Sequence, residues 1–329
     1  MIDRRQLLMG TAAGAAMAAA APLARAAGNW PAGPVKVVVP YNAGGATDTV
    51  ARVFSAHFQS EWNSVVVVEN RSGASGTIGT SYVVKSPPDG QTLLVGVSSM
   101  AAAAAMFRKL PYDAMTDLQP VCGLVYSPSI LVVNNDLPVR NLQELIALDK
   151  SRPGQLNYAS TGIGSGAQLA FEYLNALAGT KLTHIPYQGD APLIPALLGN
   201  QVQTALLQPP AASPHIKSGR LRALAVTTPK RFALMPDLPT MSESGLPGYE
   251  YVSWVGIFAP AGTPVAVMDR VADDVQRISR MDDLVTQHLL NWNVQAFAPG
   301  REAFRAQYVS DVERYRGIVK QANIPLIDL

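Results

Sequence analysis

Two stretches of small and hydroxyl-bearing residues are the parts of this sequence best suited to chemistry. The first reads Tyr41-Asn42-Ala43-Gly44-Gly45-Ala46-Thr47-Asp48, and the second reads Ser160-Thr161-Gly162-Ile163-Gly164-Ser165. Glycines allow tight turns and let backbone N–H groups come close to a bound group. Asp48 is the only charged residue in either stretch. This pattern favours reversible capture of a carboxylate by N–H groups and hydroxyls over bond breaking.

The chain is poor in the side chains that catalysis requires. Its four histidines lie on separate predicted elements, with no H-E-x-x-H pair for zinc and no G-x-S-x-G elbow for a serine nucleophile. Cys122 is the only cysteine, which excludes an internal disulfide, and we expect it to be a small core residue. We therefore predict no catalytic residue, no metal site and no cofactor. The enzyme alternative is an exported hydrolase that uses one of the serines.

Each of the two stretches lies between a predicted strand and a predicted helix. Val35–Val39 is a β-branched run typical of a buried strand, and an apolar stripe follows the first stretch at Val50, Phe54 and Phe58. Leu156–Ser160 is a strand before the second stretch, and another amphipathic helix follows it. A strand, a glycine turn and a helix aim free N–H groups and the positive end of the helix dipole at one point. The simpler interpretation is an ordinary strand-to-helix connection of any α/β fold.

The remaining pattern alternates short apolar strands with helices, which predicts βαβ units and parallel sheets. A third strand at Leu93–Val97 ends in Ser98 and Ser99. Apolar runs at Val121–Val133 and Tyr251–Pro260 are predicted to cross between two lobes. Two crossings in a chain of 329 residues describe a clamp whose cleft faces both glycine turns.

The N-terminal segment 1–26 is predicted to be an export signal. It has a basic start, an apolar stretch and an A-x-A pattern at Ala24-Arg25-Ala26, and its paired arginines Arg4-Arg5 also fit a twin-arginine signal. Its removal takes away three of the 26 basic and one of the 24 acidic residues and leaves 23 of each. A neutral chain without a basic run excludes nucleic acid as a natural partner. No other stretch is long enough to cross a membrane, and we expect a monomer.

Several short motifs in register carry a family resemblance. They are the two glycine stretches together with Tyr187-Gln188-Gly189, Leu238-Pro239-Thr240, Gly245-Leu246-Pro247-Gly248-Tyr249-Glu250 and Ala259-Pro260-Ala261-Gly262-Thr263-Pro264. Together they resemble the extracytoplasmic binding proteins of tripartite tricarboxylate transporters, also called Bug receptors. The likeness covers nearly the whole chain after the export signal.

The resemblance implies an α/β fold of the periplasmic binding protein type (type II-like), with two lobes joined by two crossover strands. Each lobe would hold a mainly parallel sheet flanked by helices. We expect lobe 1 to comprise residues 27–127 plus 254–329, and lobe 2 to comprise residues 128–253. The family implies a periplasmic solute-binding protein that holds a small organic carboxylate in its cleft and delivers it to a membrane permease of the transporter.

Family members bind carboxylates chiefly through the two glycine turns, with ordered water. Carried over residue by residue, the resemblance points to Tyr41, Asn42, Gly44, Gly45, Thr47, Asp48, Ser160, Thr161, Gly164 and Ser165. We add Ala43, Ser98, Ser99, Gln188 and Gln208 as further ligand-binding candidates.

Departures from the family pattern bear on the ligand. The family often has Phe at Tyr41, Lys or Arg at Gln188, and Asp at Gln203 and Gln208. If Gln188 and Gln208 line the cleft, the pocket is more neutral than usual and offers amide groups in place of charges. We therefore expect a mono- or dicarboxylate without an ammonium group. Tyr41, Tyr126 and Trp254 are candidate surfaces for stacking an aromatic acid, and the alternative is that these rings belong to the core.

A clamp that closes on a ligand can report its state to any partner that distinguishes open from closed. A carboxylate-sensing receptor is therefore the alternative to a transport protein.

Overall fold

The computed structural model describes residues 30–284 and 288–328. The predicted export signal, residues 1–26, lies outside this range. The strands are β1 (Val35–Val39), β2 (Val66–Asn70), β3 (Thr92–Val97), β4 (Leu118–Pro128), β5 (Ile130–Asn134), β6 (Asn157–Ser160), β7 (Thr183–Pro186), β8 (Thr204–Leu207), β9 (Leu221–Val226), β10 (Val252–Pro260) and β11 (Gln295–Ala296). The helices are α1 (Ala46–Trp62), α2 (Thr77–Val84), α3 (Ser99–Met106), α4 (Leu142–Ser151), α5 (Gly166–Ala178), α6 (Asp190–Leu198), α7 (Pro209–Lys217), α8 (Val265–Ile278) and α9 (Arg301–Gln321), with a short helical stretch at Asp282–Leu284 and a 3-10 turn at Ala74–Gly76.

These strands form two sheets, one in each lobe. The first has the order β11-β4-β10-β3-β1-β2, and the second has the order β7-β6-β8-β5-β9. The predicted α/β fold with two lobes is therefore confirmed. Within each sheet, the strand before a glycine turn has parallel neighbours: β1 pairs with β2 and β3, and β6 pairs with β7 and β8.

The expectation of mainly parallel sheets needs correction, because both sheets are mixed. β10 runs antiparallel to β3 and β4, and β5 runs antiparallel to β8 and β9. The physical reason lies in the crossings. A strand that enters from the other lobe is not connected to its new neighbours by a βαβ crossover, so nothing requires it to run parallel to them.

Both predicted crossings are present, and they lie side by side. β4 ends at Pro128 and β5 begins at Ile130, so only Ser129 separates the two sheets. Ser129 donates its N–H to the Thr227 hydroxyl at 3.0 Å, and Tyr251 donates its N–H to the Thr227 carbonyl at 3.0 Å. The outward and return crossings are therefore joined by hydrogen bonds where the chain passes between the lobes.

Helix α1 follows its predicted amphipathic pattern. Val50, Phe54 and Phe58 are 5%, 1% and 1% exposed, and the Phe58 ring stacks on Trp62 with ring centroids 4.4 Å apart. Each such side chain contributes about 1.5–3 kcal/mol by leaving water. The buried stripe fixes the helix against the sheet and so holds its N-terminus next to the end of β1.

Helix α9 carries a second long apolar stripe. The side chains of this stripe are buried, and they are Phe304, Tyr308, Val312, Tyr315 and Val319. The stripe covers β4 and β10, and Trp254 on β10 donates its indole N–H to Asp311 of α9 at 2.8 Å. Cys122 is fully buried, as predicted, and burial raises the pKa of its thiol. No helix among the described residues is long and apolar enough to cross a membrane.

Candidate functional site

The first glycine turn connects β1 to α1. Gly44 has φ +80° and Gly45 takes the N-cap position, with no side chain capping the helix. The segment from Asn42 to Gly45 is exposed, Thr47 is half-buried and Ala43 projects into solvent. The N–H groups of Ala46 and Thr47 stand at the first helical positions, where no acceptor within the helix exists. These two N–H groups and the Thr47 hydroxyl are therefore the candidate donors to an anion at this turn.

The Asp48 side chain stabilises the first turn through hydrogen bonds. Its carboxylate, 2% exposed, accepts the Gly44 N–H at 2.9 Å, Arg52 Nε at 2.9 Å and Asn70 Nδ2 at 2.9 Å. Burial alone would raise the pKa of Asp48, but these hydrogen bonds outweigh it, and its pKa lies below the usual value. The charge is thus compensated by Arg52. Asp48 therefore stabilises the shape of the turn.

The second glycine turn connects β6 to α5 and has a similar design. Gly164 has φ +77°, and Ser165 caps the helix by accepting the Gln168 N–H at 3.3 Å. Gln168 reaches back and accepts the Gly164 N–H at 2.7 Å. Asp48 and Gln168 both occupy the third helical position, and each binds the N–H two residues before its helix starts. The two turns therefore repeat one arrangement with a charged acceptor in the first lobe and a neutral one in the second.

Ser160 lies beneath the second turn. It is fully buried, and its hydroxyl contacts the Gly162 carbonyl at 2.9 Å and His184 Nε2 at 2.6 Å. Burial lowers the pKa of His184 to about 4, so the imidazole is neutral. We therefore revise the expectation that an anion rests on the Ser160 hydroxyl, because that hydroxyl supports the turn. Thr161 is exposed at the top of the turn, and its contact with a ligand stays a prediction.

The second turn and the start of α5 contact helix α3 of the first lobe. Ser99, the first residue of α3, accepts the N–H of Gly166, the first residue of α5, at 3.3 Å. A Cβ atom on Gly164 would lie 2.3 Å from the ring of Phe107, at the end of α3. In this structure both ends of α3 therefore contact the second lobe, Ser99 at the start of α5 and Phe107 at the second turn.

Ser75 makes a further contact between the lobes that the sequence did not single out. Its hydroxyl donates to the Ile163 carbonyl of the second turn at 2.5 Å. The residue sits in a loop in which Gly73, Ala74, Ser75 and Gly76 all have positive φ. Non-glycine residues in this region store strain, which is commonly found at functional sites. The glycine-rich composition of this loop was the available signal. The loop follows β2, the edge strand farthest from the crossings, and so it lies at the outer end of the cleft.

Ser98 and Ser99 begin α3 close to the return crossing. Ser98 is 1% exposed, and its hydroxyl lies 3.3 Å from the Tyr251 hydroxyl. A Cβ atom on Gly166 would lie 1.8 Å from that same Tyr251 oxygen. Tyr251, which sequence reasoning placed only in a crossing, therefore lies between the start of α3 in the first lobe and the start of α5 in the second.

The two candidate glutamines have different surroundings. Gln208 accepts the Ser127 hydroxyl at 2.5 Å and donates to the Ser129 hydroxyl at 3.0 Å. Its amide is thus engaged on either side of the outward crossing, and we revise the expectation that it is offered to a ligand. Gln203 binds the Asn157 N–H at 2.9 Å and belongs to the sheet. Gln188 is exposed after β7, beside the second turn, and its contact with a ligand stays a prediction.

The three candidate aromatic residues also have different surroundings. Trp254 is 1% exposed and packs edge-on against Phe304, so the structure favours the alternative that its ring belongs to the core. Tyr126 is half-buried and packs against Phe297 and against Phe232 of the second lobe. Tyr41 remains next to the cleft, at the start of the first turn.

The arrangement lacks the features of a hydrolase. The Ser160–His184 pair is the kind of contact that a serine nucleophile needs, but the Ser160 hydroxyl is buried and shared with the turn backbone. What the cleft offers is two helix N-termini, free N–H groups and neutral hydroxyls. These groups suit an anion that binds and leaves.

Comparison with known proteins assigns the family. Residues 50–324 match the model of the tripartite tricarboxylate transporter family receptor. The chain belongs to this receptor family. It is therefore a solute-binding receptor and not an enzyme.

Three solved structures resemble this receptor along most of its length. The R. palustris protein Rpa4515 with adipate shares 32% identity and a TM-score of 0.84, covering 91% of this chain and 100% of that one. The periplasmic binding protein BugD shares 33% identity and a TM-score of 0.81, with coverage of 91% and 100%. MatC from Rhodopseudomonas palustris with bound malate shares 32% identity and a TM-score of 0.81, with coverage of 88% and 100%.

Proposed function

We propose that this receptor captures a small organic carboxylate in its interlobe cleft, in the periplasm, and delivers it to the membrane permease of a tripartite tricarboxylate transporter. The carboxylate ligands of two relatives, adipate and malate, support the ligand class. The observation that carries the proposal is that each lobe has a glycine turn leading from a strand with parallel neighbours into a helix N-terminus, that of α1 in the first lobe and that of α5 in the second. Each helix end carries roughly half a positive charge, which favours an anion between them.

The first lobe offers more free N–H groups for binding the ligand carboxylate than the second. At the start of α5, the N–H groups of Gly164, Gly166 and Gln168 already bind Gln168, Ser99 and Ser165. At the start of α1, the N–H groups of Ala46 and Thr47 have no acceptor within the helix. We therefore propose that the carboxylate first binds the α1 turn and that the α5 turn then covers it.

We further propose that the ligand carries no ammonium group. The one carboxylate in the two turns, that of Asp48, is buried and bound by Arg52, Asn70 and the Gly44 N–H. An ammonium group in the closed cleft would lose its water without gaining a counter-charge from either turn, which is unfavourable.

A thermal-shift assay on purified residues 27–329 tests binding and ligand class together. The panel pairs each acid with its amino analogue, for example succinate with aspartate and glutarate with glutamate, and adds adipate, malate, citrate and benzene dicarboxylates. A ligand at one hundred times its Kd adds about 2.7 kcal/mol to stability, which raises Tm by several degrees. We expect a shift with at least one acid and none with its amino analogue.

Two results would contradict this proposal. A larger shift with aspartate than with succinate would remove the argument against ammonium groups. Absence of a shift with every carboxylate, in protein shown by denaturation and mass spectrometry to hold no co-purified ligand, would remove the carboxylate site itself. Delivery to a permease is tested separately by deleting the gene and measuring uptake of the ligand found.

A further inference from the structure

The hydroxyl of Tyr41 is a buried polar group whose hydrogen-bonding capacity is unused. Among the described residues it is buried and has no hydrogen-bond partner. The loop from Gly73 to Gly76 packs over it, since a Cβ atom on Gly76 would lie 3.2 Å from the hydroxyl oxygen. A buried hydroxyl without a partner is destabilising, and such groups are rare in native proteins.

This hydroxyl lies beside the cleft. Tyr41 directly precedes the first glycine turn, and the Asn70 side chain donates to its backbone carbonyl at 3.1 Å, which fixes its position. The ionisable groups that act on it are the phenols of Tyr112 and Tyr251. The loop that packs over this hydroxyl also contacts the second lobe, where Ser75 donates to the Ile163 carbonyl, so the Tyr41 hydroxyl is close to the surface where the lobes meet.

The surroundings of Tyr41 are neutral. Burial raises the pKa of Tyr41 and Tyr251, and it raises the pKa of Tyr112 to about 12, so all three phenols keep their protons. No Lys, Arg, Asp or Glu is among the described groups that act on the Tyr41 hydroxyl. A second ligand carboxylate buried here would lack a counter-charge, whereas a neutral oxygen atom would accept the phenol hydrogen bond without that cost.

The two neighbouring phenols already have partners. The Tyr251 hydroxyl contacts Ser98, and the Tyr112 hydroxyl bonds to Thr80. The Tyr315 hydroxyl also lacks a partner, but its ring is fully buried on α9, where it stacks on Tyr251 behind the cleft. Tyr41 is therefore the phenol of this group that is both unpaired and placed next to a glycine turn.

We propose that Tyr41 determines ligand specificity by donating its phenol hydrogen bond to an uncharged oxygen of the bound acid. The preferred ligand is then a hydroxy- or oxo-substituted carboxylic acid, with its carboxylate on the α1 turn and its hydroxyl or carbonyl oxygen at Tyr41. This inference rests on the proposed function and specifies the substrate class of that same site.

Calorimetric titration of matched ligand pairs tests the inference. The pairs are malate with succinate, 2-oxoglutarate with glutarate, and 3-hydroxybutyrate with butyrate. The proteins are the wild type, Tyr41→Phe and the control Tyr315→Phe, which removes an unpaired hydroxyl away from the turn. We expect the wild type to bind the oxygenated member of at least one pair about tenfold more tightly, as one buried hydrogen bond allows.

Tyr41→Phe should lower that preference to about one by weakening only the oxygenated member, and it should raise the Tm of the ligand-free protein. Tyr315→Phe should keep the preference. The inference is overturned if Tyr41→Phe weakens both members of the pair equally, if it changes neither, or if the wild type prefers the unsubstituted acid. In each of those cases carboxylate binding, and with it the proposed function, still stands. If no carboxylate binds the wild type, the proposed function fails and this inference fails with it.

Discussion

Replacing Gly164 with alanine tests whether the contact between the lobes contributes to ligand binding. The substitution has two costs, backbone strain in the turn and a clash with the other lobe, and only the clash depends on the lobes being together. The residue has φ +77°, and its added Cβ atom would lie 2.3 Å from the Phe107 ring of the other lobe. The left-handed conformation costs an alanine roughly 1–2 kcal/mol whether or not the lobes touch. The contact with Phe107 exists only when the lobes are together, and relieving it costs about 1–3 kcal/mol.

The chain supplies a matched control at Gly154. It has φ +75°, a Cβ atom there would meet no atom within 4 Å, and it precedes β6 at the end of the sheet opposite the glycine turn. Gly154→Ala therefore carries the same backbone strain without the clash. Both variants should lose a few degrees of Tm. Only Gly164→Ala should also bind its ligand about 5- to 150-fold more weakly, since tenfold corresponds to about 1.4 kcal/mol.

The assay is calorimetric titration of both variants with the acid that gives the largest thermal shift, combined with small-angle scattering of the bound state. Gly164→Ala should remain more expanded at saturating ligand than Gly154→Ala. If the two variants bind equally well and compact equally, the approach of Phe107 to the second turn is not part of ligand binding, and the reasoning is refuted.

Three further perturbations address the outer contact, the second turn and the crossing. Ser75→Ala removes the hydrogen bond to the Ile163 carbonyl, which contributes about 0.5–1.5 kcal/mol. In stopped-flow measurements the variant should release its ligand about two- to tenfold faster, with little change in the association rate. An unchanged dissociation rate would show that this hydrogen bond does not stabilise the ligand-bound state. Because the folded-state pKa of His184 is lowered to about 4 from 6.5, unfolding takes up a proton, so stability should be full above about pH 6.5 and fall toward pH 4. His184→Gln keeps a hydrogen-bond partner for Ser160 and should reduce the loss of stability between about pH 6.5 and pH 4. An unaltered pH dependence would show that His184 is not the group responsible for this loss. Gln208→Leu leaves the Ser127 and Ser129 hydroxyls at the crossing without their amide partner, so it should lower Tm and leave the ligand preference unchanged. A changed ligand preference would show that Gln208 belongs to the binding site.

Local pattern predicted the elements that position the site. The β-branched run before Pro40, the glycines after it and the stripe through Phe54 and Phe58 are all short-range signals, and the structure contains the corresponding strand, turn and helix. The same signals predicted the second unit at β6 and α5. Both crossings were also recognisable, because an apolar run interrupted by Pro128 is unusual within a single sheet.

Side-chain roles depended on partners far away in the sequence, and pattern could not supply them. Trp254 is a core residue because Asp311, 57 residues later, accepts its indole N–H. Gln208 stabilises the crossing because Ser127, 81 residues earlier, donates a hydrogen bond to its side-chain amide oxygen. The mixed character of the sheets has the same origin, since strand direction at a crossing is set by the other lobe. Ser75 was missed because its acceptor is a backbone carbonyl in the opposite lobe.

A crystal structure of the complex with the best acid of the panel tests the central claim most directly. We expect a ligand carboxylate at the start of α1, with its oxygens about 2.7–3.2 Å from the N–H groups of Ala46 and Thr47, and the α5 turn closed over it. A ligand whose carboxylate lies outside this cleft, or is held by charged side chains in place of the helix N-terminus, would show that the α1 turn is not the carboxylate site.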